Sequence, residues 1–171
     1  MTKITTERLV LRKPSHNDKS ALIKQIGIWD VAKWLTRVPY PYTKSDADEF
    51  LQTTKDQTFN LSIFRKQTLI GGVLLTEDTD TQSYELGYWL GASHWGHGYA
   101  TEAARALLDV AMTTYDARYI KASYIKASYI KGNDASAHVL GKLGFKKTGT
   151  EKAYCLPRKE MVTCTMMRLE T

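Results

Sequence analysis

The sequence predicts a mixed α/β or α+β fold, because segments with the alternation of strands and segments with the periodicity of helices share the chain. Polar and apolar residues alternate at residues 8–13, which is typical of a strand with one buried side. Three β-prone runs at residues 59–64, 68–75 and 84–90 predict a meander of strands. From Ala100 onward, alanine and leucine recur at the period of an amphipathic helix.

The remaining elements are predicted from caps, turn residues and β-prone composition. Ser15 and Asp18 have the spacing of a capping box ahead of a first helix, and residues 45–54 have the pattern of a second one. Asn133 can cap a later helix that ends at Gly144. We expect a proline-bearing aromatic loop at residues 29–43, a turn at 77–80, a β-prone segment at 119–131, and terminal strands at 145–154 and 160–168.

The composition is that of an ordinary globular domain, with 171 residues of which 43% are hydrophobic and 25% charged. No linker rich in Pro, Gly or Ser divides the chain, so we expect residues 1–171 to form a single domain. The sequence contains neither an apolar run long enough for a membrane span nor the apolar region of a signal peptide. Cys155 and Cys164 supply neither a disulfide framework nor a zinc-ligand set. We therefore expect a cytoplasmic protein with no membrane partner.

The net charge of +6 is unevenly distributed. Residues 101–171 carry 12 basic and 7 acidic side chains, whereas residues 1–100 carry 12 and 11. A basic C-terminal part predicts an anionic ligand there, or is simply a solvated basic surface. Charge alone also raises the hypothesis of a nucleic-acid binder, but no recognition element is apparent and we expect no nucleic acid to bind.

The pentapeptide KASYI occurs twice in succession, at residues 121–125 and 126–130. The unit is too short for a solenoid repeat, which needs about 20 residues or more. Because side chains alternate along a strand, a continuous strand would place Lys121 and Lys126 on opposite faces. We expect a bulge or a looped segment to absorb the extra residues.

A glycine-spaced segment, HWGHGYATE at residues 94–102, lies between a predicted strand and a predicted helix. Glycines allow positive φ angles and let a ligand approach the backbone closely. The first amides of a helix lack partners within the helix and carry partial positive charge, so such a turn can bind phosphate or diphosphate. The spacing matches neither a P-loop nor a GxGxxG motif, and by itself it also fits an ordinary tight strand–helix turn.

The segment GYWLGASHWGHGYATEAARALL resembles the acyl-CoA-binding motif of the GNAT N-acetyltransferases. That motif has Arg or Gln first, glycine fourth and glycine or alanine sixth; the corresponding residues here are Trp95, Gly98 and Ala100, so tryptophan departs from the pattern. TERLVLRKPSHND and NDASAHVLGKLGFKKTG resemble the RimJ/RimL branch, which acetylates the N-termini of ribosomal proteins. The resemblance covers almost the whole chain.

This resemblance implies the GNAT fold, in which a single mixed, mostly antiparallel central sheet is splayed at its middle and flanked by helices on both faces. The strand that ends at Trp89 and Leu90 and the segment at residues 125–131 would diverge, leaving a cleft for the thioester. Counting back from Asn133, Ile125 and Ala127 match family positions without a gap. We therefore expect the copy of KASYI nearest Asn133 to keep the family register.

The resemblance also implies that acetyl-CoA is the cosubstrate. Trp89 and Leu90 would run beside its pantetheine arm, and Asn133 would donate to that arm, cap its own helix, or do both. The diphosphate would be bound by the backbone of Gly96, His97, Gly98, Tyr99, Ala100 and Thr101.

Two residues are candidates for the chemistry of acyl transfer. By resemblance, Glu85 would take the proton of the acceptor amine, directly or through water, and Ser136 would stabilise the departing thiolate. Read from the residues alone, Glu85 fits equally an exposed strand glutamate, and Ser136 a helix serine bonded to the backbone. Trp34 and Tyr40 lie in the aromatic loop that covers the acceptor in this family, where they would either contact the acceptor or pack over the helices.

The predicted function is acetyl transfer to a primary amine, first of all the α-amine of a protein or peptide, with a ribosomal protein N-terminus as a candidate partner. An α-amine has a pKa of about 8 and a lysine about 10.4, so the α-amine needs less help to become neutral. The alternatives are a small amine of the polyamine or aminoglycoside type, attracted by acidic residues 77–80, and a non-catalytic acyl-CoA-binding module.

His94 and His97 lack a third ligand, so no metal is expected. For the oligomeric state, both a monomer and a homodimer are compatible with the sequence.

Overall fold

A single mixed sheet organises the protein in the computed structural model, which describes residues 3–79, 81, 83–113 and 124–170. Its eight strands are β1 Lys3–Thr5, β2 Val10–Arg12, β3 Asn60–Arg65, β4 Thr68–Asp78, β5 Ser83–Leu90, β6 Tyr124–Ile130, β7 Lys146–Cys155 and β8 Glu160–Glu170. They lie in the order β1-β2-β3-β4-β5-β6-β8-β7. Neighbouring strands are antiparallel except for β5 and β6, which are parallel. The mixed, mostly antiparallel sheet is therefore confirmed.

Helices cover both faces of this sheet. They are α1 Lys19–Ile26, α2 Trp29–Ala32, α3 Lys44–Thr53, α4 Tyr99–Thr113 and α5 Asp134–Lys142. Leu90 packs into the core beneath α4, whereas a side chain added at the next residue, Gly91, would meet Gln25 of α1. Because successive side chains of a strand point to opposite faces, α1 and α4 lie on opposite sides of the sheet. Within the described ranges, no helix is long and apolar enough to cross a bilayer.

The main hydrophobic core joins α4 to the middle of the sheet. Ala103, Ala104 and Leu107 of α4 are completely buried, at the helical spacing that the sequence predicts. They pack in one cluster with Leu86 of β5 and Ile125 of β6. The two strands that matter most for the site are thus anchored to the same helix.

Strands β5 and β6 pair only at their beginnings. Tyr84 lies opposite Ile125 and Glu85 lies opposite Lys126, after which the ladder stops although both strands continue. We call the gap between residues 86–90 of β5 and residues 127–130 of β6 the central opening. The sheet is therefore splayed at its middle, as the sequence predicts.

The predicted helix starts are confirmed. Ser15 and Asp18 form a reciprocal capping box at a 3-10 turn, His16–Asp18, that leads into α1. Asn133 caps α5, because its side-chain oxygen accepts a hydrogen bond from the Ser136 amide at 3.1 Å.

Two expectations for the first half of the chain are wrong in part. The segment at residues 29–43 is not entirely loop, because α2 forms at its start, where Val31 and Ala32 are buried and the Ala32 amide donates to Ile28 at 2.9 Å. Residues 77–80 are not simply a turn, because β4 continues to Asp78 by pairing with Ser83. Burial favours the helix and pairing with β5 extends the strand, so tertiary contacts override a polar or proline-bearing local composition.

The duplicated pentapeptide is only partly within the described residues. The second copy lies in β6, where Ile125 and Ala127 are 0% and 1% exposed. The predicted bulge and most of the first copy, residues 121–123, lie outside the described ranges.

Candidate active site

The backbone of β5 presents alternate residues to the central opening. The amide of Gly91 donates to the carbonyl of Ile70 at 2.9 Å, and Trp89 lies opposite Gly72 in the same ladder. Hydrogen-bonded and non-bonded pairs alternate in an antiparallel ladder, so the Trp89 backbone points to β4 and the Leu90 backbone points into the opening. Of the two residues expected beside the pantetheine arm, Leu90 therefore offers its backbone, whereas Trp89 places its indole next to Gly72.

Trp95 covers part of this open edge. It stands where the family motif has Arg or Gln, and its indole N–H donates to the Leu90 carbonyl at 2.9 Å. The bond fixes the start of the glycine loop to the end of β5. It also leaves the Leu90 amide, and not the Leu90 carbonyl, as the group available to a ligand in the opening.

The glycine loop has the backbone geometry of an anion site. Gly96 and Gly98 adopt φ angles of 77° and 79°, which a residue with a side chain adopts only under strain. The Glu102 amide donates to the Gly98 carbonyl at 3.0 Å. The amides of residues 99–101 therefore precede the hydrogen-bond ladder of α4, at the positive end of the helix dipole.

Glu102 ties the turn after β1 to this loop. Its carboxylate accepts hydrogen bonds from the Thr6 hydroxyl at 2.6 Å, the Arg8 amide at 3.0 Å and the Arg8 Nε at 2.7 Å. The Arg8 guanidinium also donates to the His97 carbonyl at 3.0 Å. Burial raises the pKa of Glu102, but these hydrogen bonds outweigh burial and hold it below its ordinary value.

A cavity of about 390 Å³ lies beside the glycine loop. Three cationic side chains line it, namely Arg8, Arg105 and Lys142, together with Glu7 and Glu102. The predicted basic surface of the C-terminal part thus contributes two cations to the side of the loop where an anion would bind.

Glu85 lies on the face of the sheet opposite α4, among charged neighbours. Arg37, in the segment after α2, places its guanidinium 3.3 Å from the Glu85 carboxylate. Lys126, opposite Glu85 in the parallel register, forms an ion pair with Asp78. The hydrogen bond from Lys126 lowers the pKa of Asp78 to about 2 and raises that of Lys126. The expected base therefore belongs to a group of two carboxylates and two cations.

Ser136 approaches the opening from the other face, on the first turn of α5. The Tyr88 hydroxyl of β5 lies 2.7 Å from the Ser136 hydroxyl and donates to the Ser136 carbonyl at 3.2 Å. Burial raises the pKa of Tyr88 to about 12, against the smaller opposing effect of the Ser136 hydrogen bond. Asn133, which caps the same helix, lies three residues away. Glu85 and Ser136 thus lie on opposite faces of the sheet, Glu85 where β5 and β6 still pair and Ser136 against Tyr88 beside the central opening.

The predicted acceptor residues belong to a segment that the β7–β8 turn holds in place. The Leu156 amide donates to the Thr36 carbonyl at 2.9 Å, and Arg158 Nε donates to the Lys33 carbonyl at 2.7 Å. Trp34 packs against the smaller hydrophobic core, which comprises Ile130, Cys155, Val162 and Cys164. Both cysteines are free and buried.

Tyr40 occupies the exposed part of this segment. Its ring meets Trp29 edge-on, with 4.9 Å between centroids, and both side chains are exposed by about two fifths, at 37% and 42%. Trp34 and Tyr40 therefore differ in burial: Trp34 is half-buried against the smaller hydrophobic core and lines a cavity with Trp29, whereas Tyr40 is exposed.

A metal site is not evident in the part of the chain that the structure describes, since no three His, Cys, Asp or Glu side chains come together there. His94, beside the glycine loop, has a lowered pKa because of burial, with smaller contributions from Arg65 and His97. Such a histidine favours its neutral form at pH 7.

Comparison with known proteins decides the family. The family model described as Acetyltransferase (GNAT) domain matches residues 8–146. The chain belongs to the GNAT acetyltransferase family. It is similar to the N-acetyltransferase p20 of Bacillus licheniformis, with 29% identity over 99% of this chain and 96% of that protein.

Solved GNAT structures share this fold. A GNAT-family acetyltransferase from Bacillus anthracis has a TM-score of 0.82 at 23% identity, covering 99% of this chain and 98% of that one. RimL, a ribosomal alpha-N-protein acetyltransferase in complex with coenzyme A, has a TM-score of 0.79 at 20% identity, with coverage of 99% and 98%. The GNAT fold and the acyltransferase class are therefore established, and GNAT acetyltransferases use acetyl-CoA as the acetyl donor.

The side-chain partnerships of several residues at this site escape sequence reasoning. Tyr88, Arg37, Arg8 and Trp95 contact Ser136, Glu85, Glu102 and the Leu90 carbonyl respectively. For Tyr88, the strand alternation gives the face of the sheet but no partner. For Arg37, the sequence offers no signal of its partner, because the residue lies in a loop 48 positions before Glu85 in the chain.

Proposed function

We propose that this GNAT acetyltransferase is a cytoplasmic, RimJ/RimL-like enzyme that transfers the acetyl group of acetyl-CoA to an α-amine at the N-terminus of a peptide or protein. The observation that carries this proposal is the arrangement around the central opening. Glu85 lies at its paired end on one face of the sheet, Ser136 contacts Tyr88 on the other face, and the glycine loop lies at the end of β5. A coenzyme and an acceptor can therefore enter from opposite sides and meet inside the sheet.

The coenzyme side uses backbone groups and few side chains. The amides that precede the α4 ladder, from Gly96 to Thr101, would bind the diphosphate, with Arg8 nearby to complement its charge. The Leu90 backbone would face the pantetheine arm, and the Asn133 side-chain NH₂ would donate to it while its oxygen caps α5. The Asn133 side chain would thus both cap α5 and bind the coenzyme.

The reaction is a direct transfer in a ternary complex. The amine nitrogen attacks the thioester carbon while Glu85, directly or through one water, takes the amine proton. The Leu90 amide is the donor that would stabilise the developing oxyanion, because it faces the opening. The C–S bond then breaks with its electron pair on sulfur, and Ser136 stabilises the thiolate.

The charges around Glu85 favour an α-amine over a polyamine. Of the acidic residues 77–80 on which the polyamine hypothesis relies, Asp78 is paired with Lys126, and Arg37 adds a positive charge that is 80% exposed beside Glu85. These two carboxylates are matched by two cations, so the group offers a polycation no net negative charge, whereas a peptide brings only a single ammonium at its end. The exposed rings of Trp29 and Tyr40 offer apolar surface for the residues that follow. RimL, a structural neighbour, is a ribosomal alpha-N-protein acetyltransferase, which supports a ribosomal protein N-terminus as the partner.

The test is release of CoA from acetyl-CoA across a panel of N-terminal peptides, polyamines and aminoglycosides. Turnover with peptides, and mass-spectrometric localisation of the acetyl group on the α-nitrogen, is the expected result. Turnover only with a small amine would refute the proposed peptide acceptor but would still support acetyl transfer from acetyl-CoA. Binding of acetyl-CoA in calorimetry without turnover on any acceptor would instead support a non-catalytic acyl-CoA-binding module.

A further inference from the structure

Where Tyr88 and Ser136 meet, three oxygen atoms can accept hydrogen bonds, but the two hydroxyl groups have only two hydrogens to donate. The Tyr88 oxygen lies 2.7 Å from the Ser136 hydroxyl oxygen and 3.2 Å from the Ser136 carbonyl oxygen. The phenol has one hydrogen and the serine hydroxyl has one. Two arrangements of these two hydrogens therefore fit the same heavy-atom positions.

In the first arrangement, the phenol donates to the Ser136 carbonyl and the serine hydroxyl donates to the phenol oxygen. The serine hydrogen is then occupied and points toward β5. In the second arrangement, the phenol donates to the serine hydroxyl oxygen, and the serine hydrogen is free to point elsewhere. Only the second arrangement lets Ser136 donate to a third group.

We propose that Tyr88 is a positioning residue for Ser136, holding its hydroxyl in place and reversing the direction of their shared hydrogen bond when the CoA thiolate forms. This rests on the proposed function, in which Ser136 faces the departing sulfur. The thiolate is a strong hydrogen-bond acceptor, and the Ser136 hydrogen turns toward it. At the same time, the phenol hydrogen turns from the Ser136 carbonyl to the Ser136 hydroxyl oxygen. The hydroxyl oxygen then accepts a hydrogen bond from Tyr88 while it donates its own hydrogen to the thiolate.

The step is balanced without any proton leaving the pair. The N–C bond of the product forms, the amine proton passes to Glu85, and the C–S bond breaks with its electron pair on sulfur. Tyr88 and Ser136 exchange hydrogen bonds only, and each keeps its proton. CoA leaves as the thiolate and is protonated by water after release.

The surroundings of Tyr88 suit a group that must remain a donor. Its side chain is partly buried beside the main core, between β5 and α5. Burial raises the pKa of Tyr88 to about 12, so the phenol is still protonated at the pH of about 8 at which an α-amine becomes neutral.

The kinetic test is a double-mutant cycle with Tyr88→Phe and Ser136→Ala. Each single variant should lower kcat about tenfold. The double variant should be no slower than either single variant, because each substitution removes the same Tyr88–Ser136 hydrogen bond. The KM for acetyl-CoA should change by less than about twofold, because the bonds in question act on the thiolate. The matched control is Tyr84→Phe on β5, a tyrosine packed against the same core where β5 still pairs with β6, which should keep the wild-type kcat.

Kinetic results of the opposite kind would overturn the proposal. If the effects of the two single variants multiply in the double variant, Tyr88 does not act through Ser136. If Tyr88→Phe raises the KM for acetyl-CoA at constant kcat, the tyrosine only shapes the pocket. Thermal melts of all variants accompany the rates, so that unfolding is recognised as such.

A binding measurement separates this proposal from the proposed function. CoA and desulfo-CoA, which lacks the sulfur, are titrated at about pH 9.5, where a thiol is largely ionised and Tyr88 is not. Wild type should prefer CoA, and Tyr88→Phe and Ser136→Ala should each lose about tenfold of that preference while binding desulfo-CoA as wild type does. Equal preference in wild type and Tyr88→Phe would overturn the role of Tyr88 while leaving acetyl-CoA binding intact. Failure of wild type to bind either compound would overturn the proposed function itself.

Discussion

The guanidinium of Arg37 lies 3.3 Å from the carboxylate of Glu85, so the expected base has a cationic partner before an amine arrives. An incoming ammonium must share or replace this partner. Arg37→Gln should therefore lower the KM for the acceptor, by no more than about fivefold because the guanidinium is largely exposed and screened. The KM for acetyl-CoA should stay constant.

Lys33→Gln is the matched control for this charge removal, because Lys33 lies in the same segment and pairs with Asp30 at 2.6 Å. Steady-state kinetics at low and high salt provide the measurement, and the difference between Arg37→Gln and wild type should shrink as salt rises. An unchanged acceptor KM at low salt would show that the pair does not compete with the substrate.

Replacing the base isosterically should separate chemistry from coenzyme binding. Glu85→Gln should reduce kcat about a hundredfold or more, the effect of losing a general base, and leave the affinity for acetyl-CoA within about twofold. Calorimetry and initial rates measure the two quantities. Glu77→Gln on β4 is the control, because the exposed Glu77 lies one residue beyond Thr76, the partner of Glu85 in the β4–β5 register. Unchanged turnover of Glu85→Gln would refute its role.

Strain at the glycine loop should appear in coenzyme binding. Because Gly98 adopts φ 79°, the Gly98→Ala variant has two options. It either keeps this backbone conformation, at a cost of about 1 kcal/mol in conformational free energy, or shifts the backbone amides that follow. We expect acetyl-CoA affinity to fall about tenfold or more. Gly144→Ala tests strain alone, because Gly144 has φ 92° and lies after α5. Equal losses of affinity in both variants would argue against a coenzyme role for the loop.

Asp18 should make the free energy of unfolding depend on pH. Its carboxylate accepts hydrogen bonds from Arg12 at 2.8 and 2.9 Å and from Ser15. Burial raises the pKa of Asp18, but the bonds from Arg12 and Ser15 outweigh it and lower the pKa overall. The stabilisation is therefore present at neutral pH and is lost as pH falls below about 4.

Denaturant unfolding measures this effect. Asp18→Asn should lower the free energy of unfolding by about 1–3 kcal/mol at pH 7, and the difference from wild type should narrow as the pH falls below about 4. Asp48→Asn, which removes an exposed partner of Lys19, should cost less than about 1 kcal/mol. A constant difference between Asp18→Asn and wild type across this pH range would contradict the assignment.

Local patterns predict most elements of the fold correctly, but they miss β1 and the helix Trp29–Ala32 and end β4 too early. The strand runs, the helix from Tyr99 and the Asn133 cap depend on contacts within a few residues, which a sequence displays directly. The helix Trp29–Ala32 and the extension of β4 to Asp78 depend on burial and on pairing with β5, so composition indicated loop and turn instead.

The candidate site divides in the same way. The sequence by itself determined the glycine loop, its place at the start of a helix, and Glu85 and Ser136 as candidates. Tertiary structure decided which groups those residues meet: Tyr88 with Ser136 and Arg37 with Glu85, each pair 48 residues apart. Loop conformation follows from local φ and ψ, which glycine and helix-capping residues encode. Partnership between distant side chains follows from the opening of β5 from β6, and that opening exists only once the whole sheet has formed.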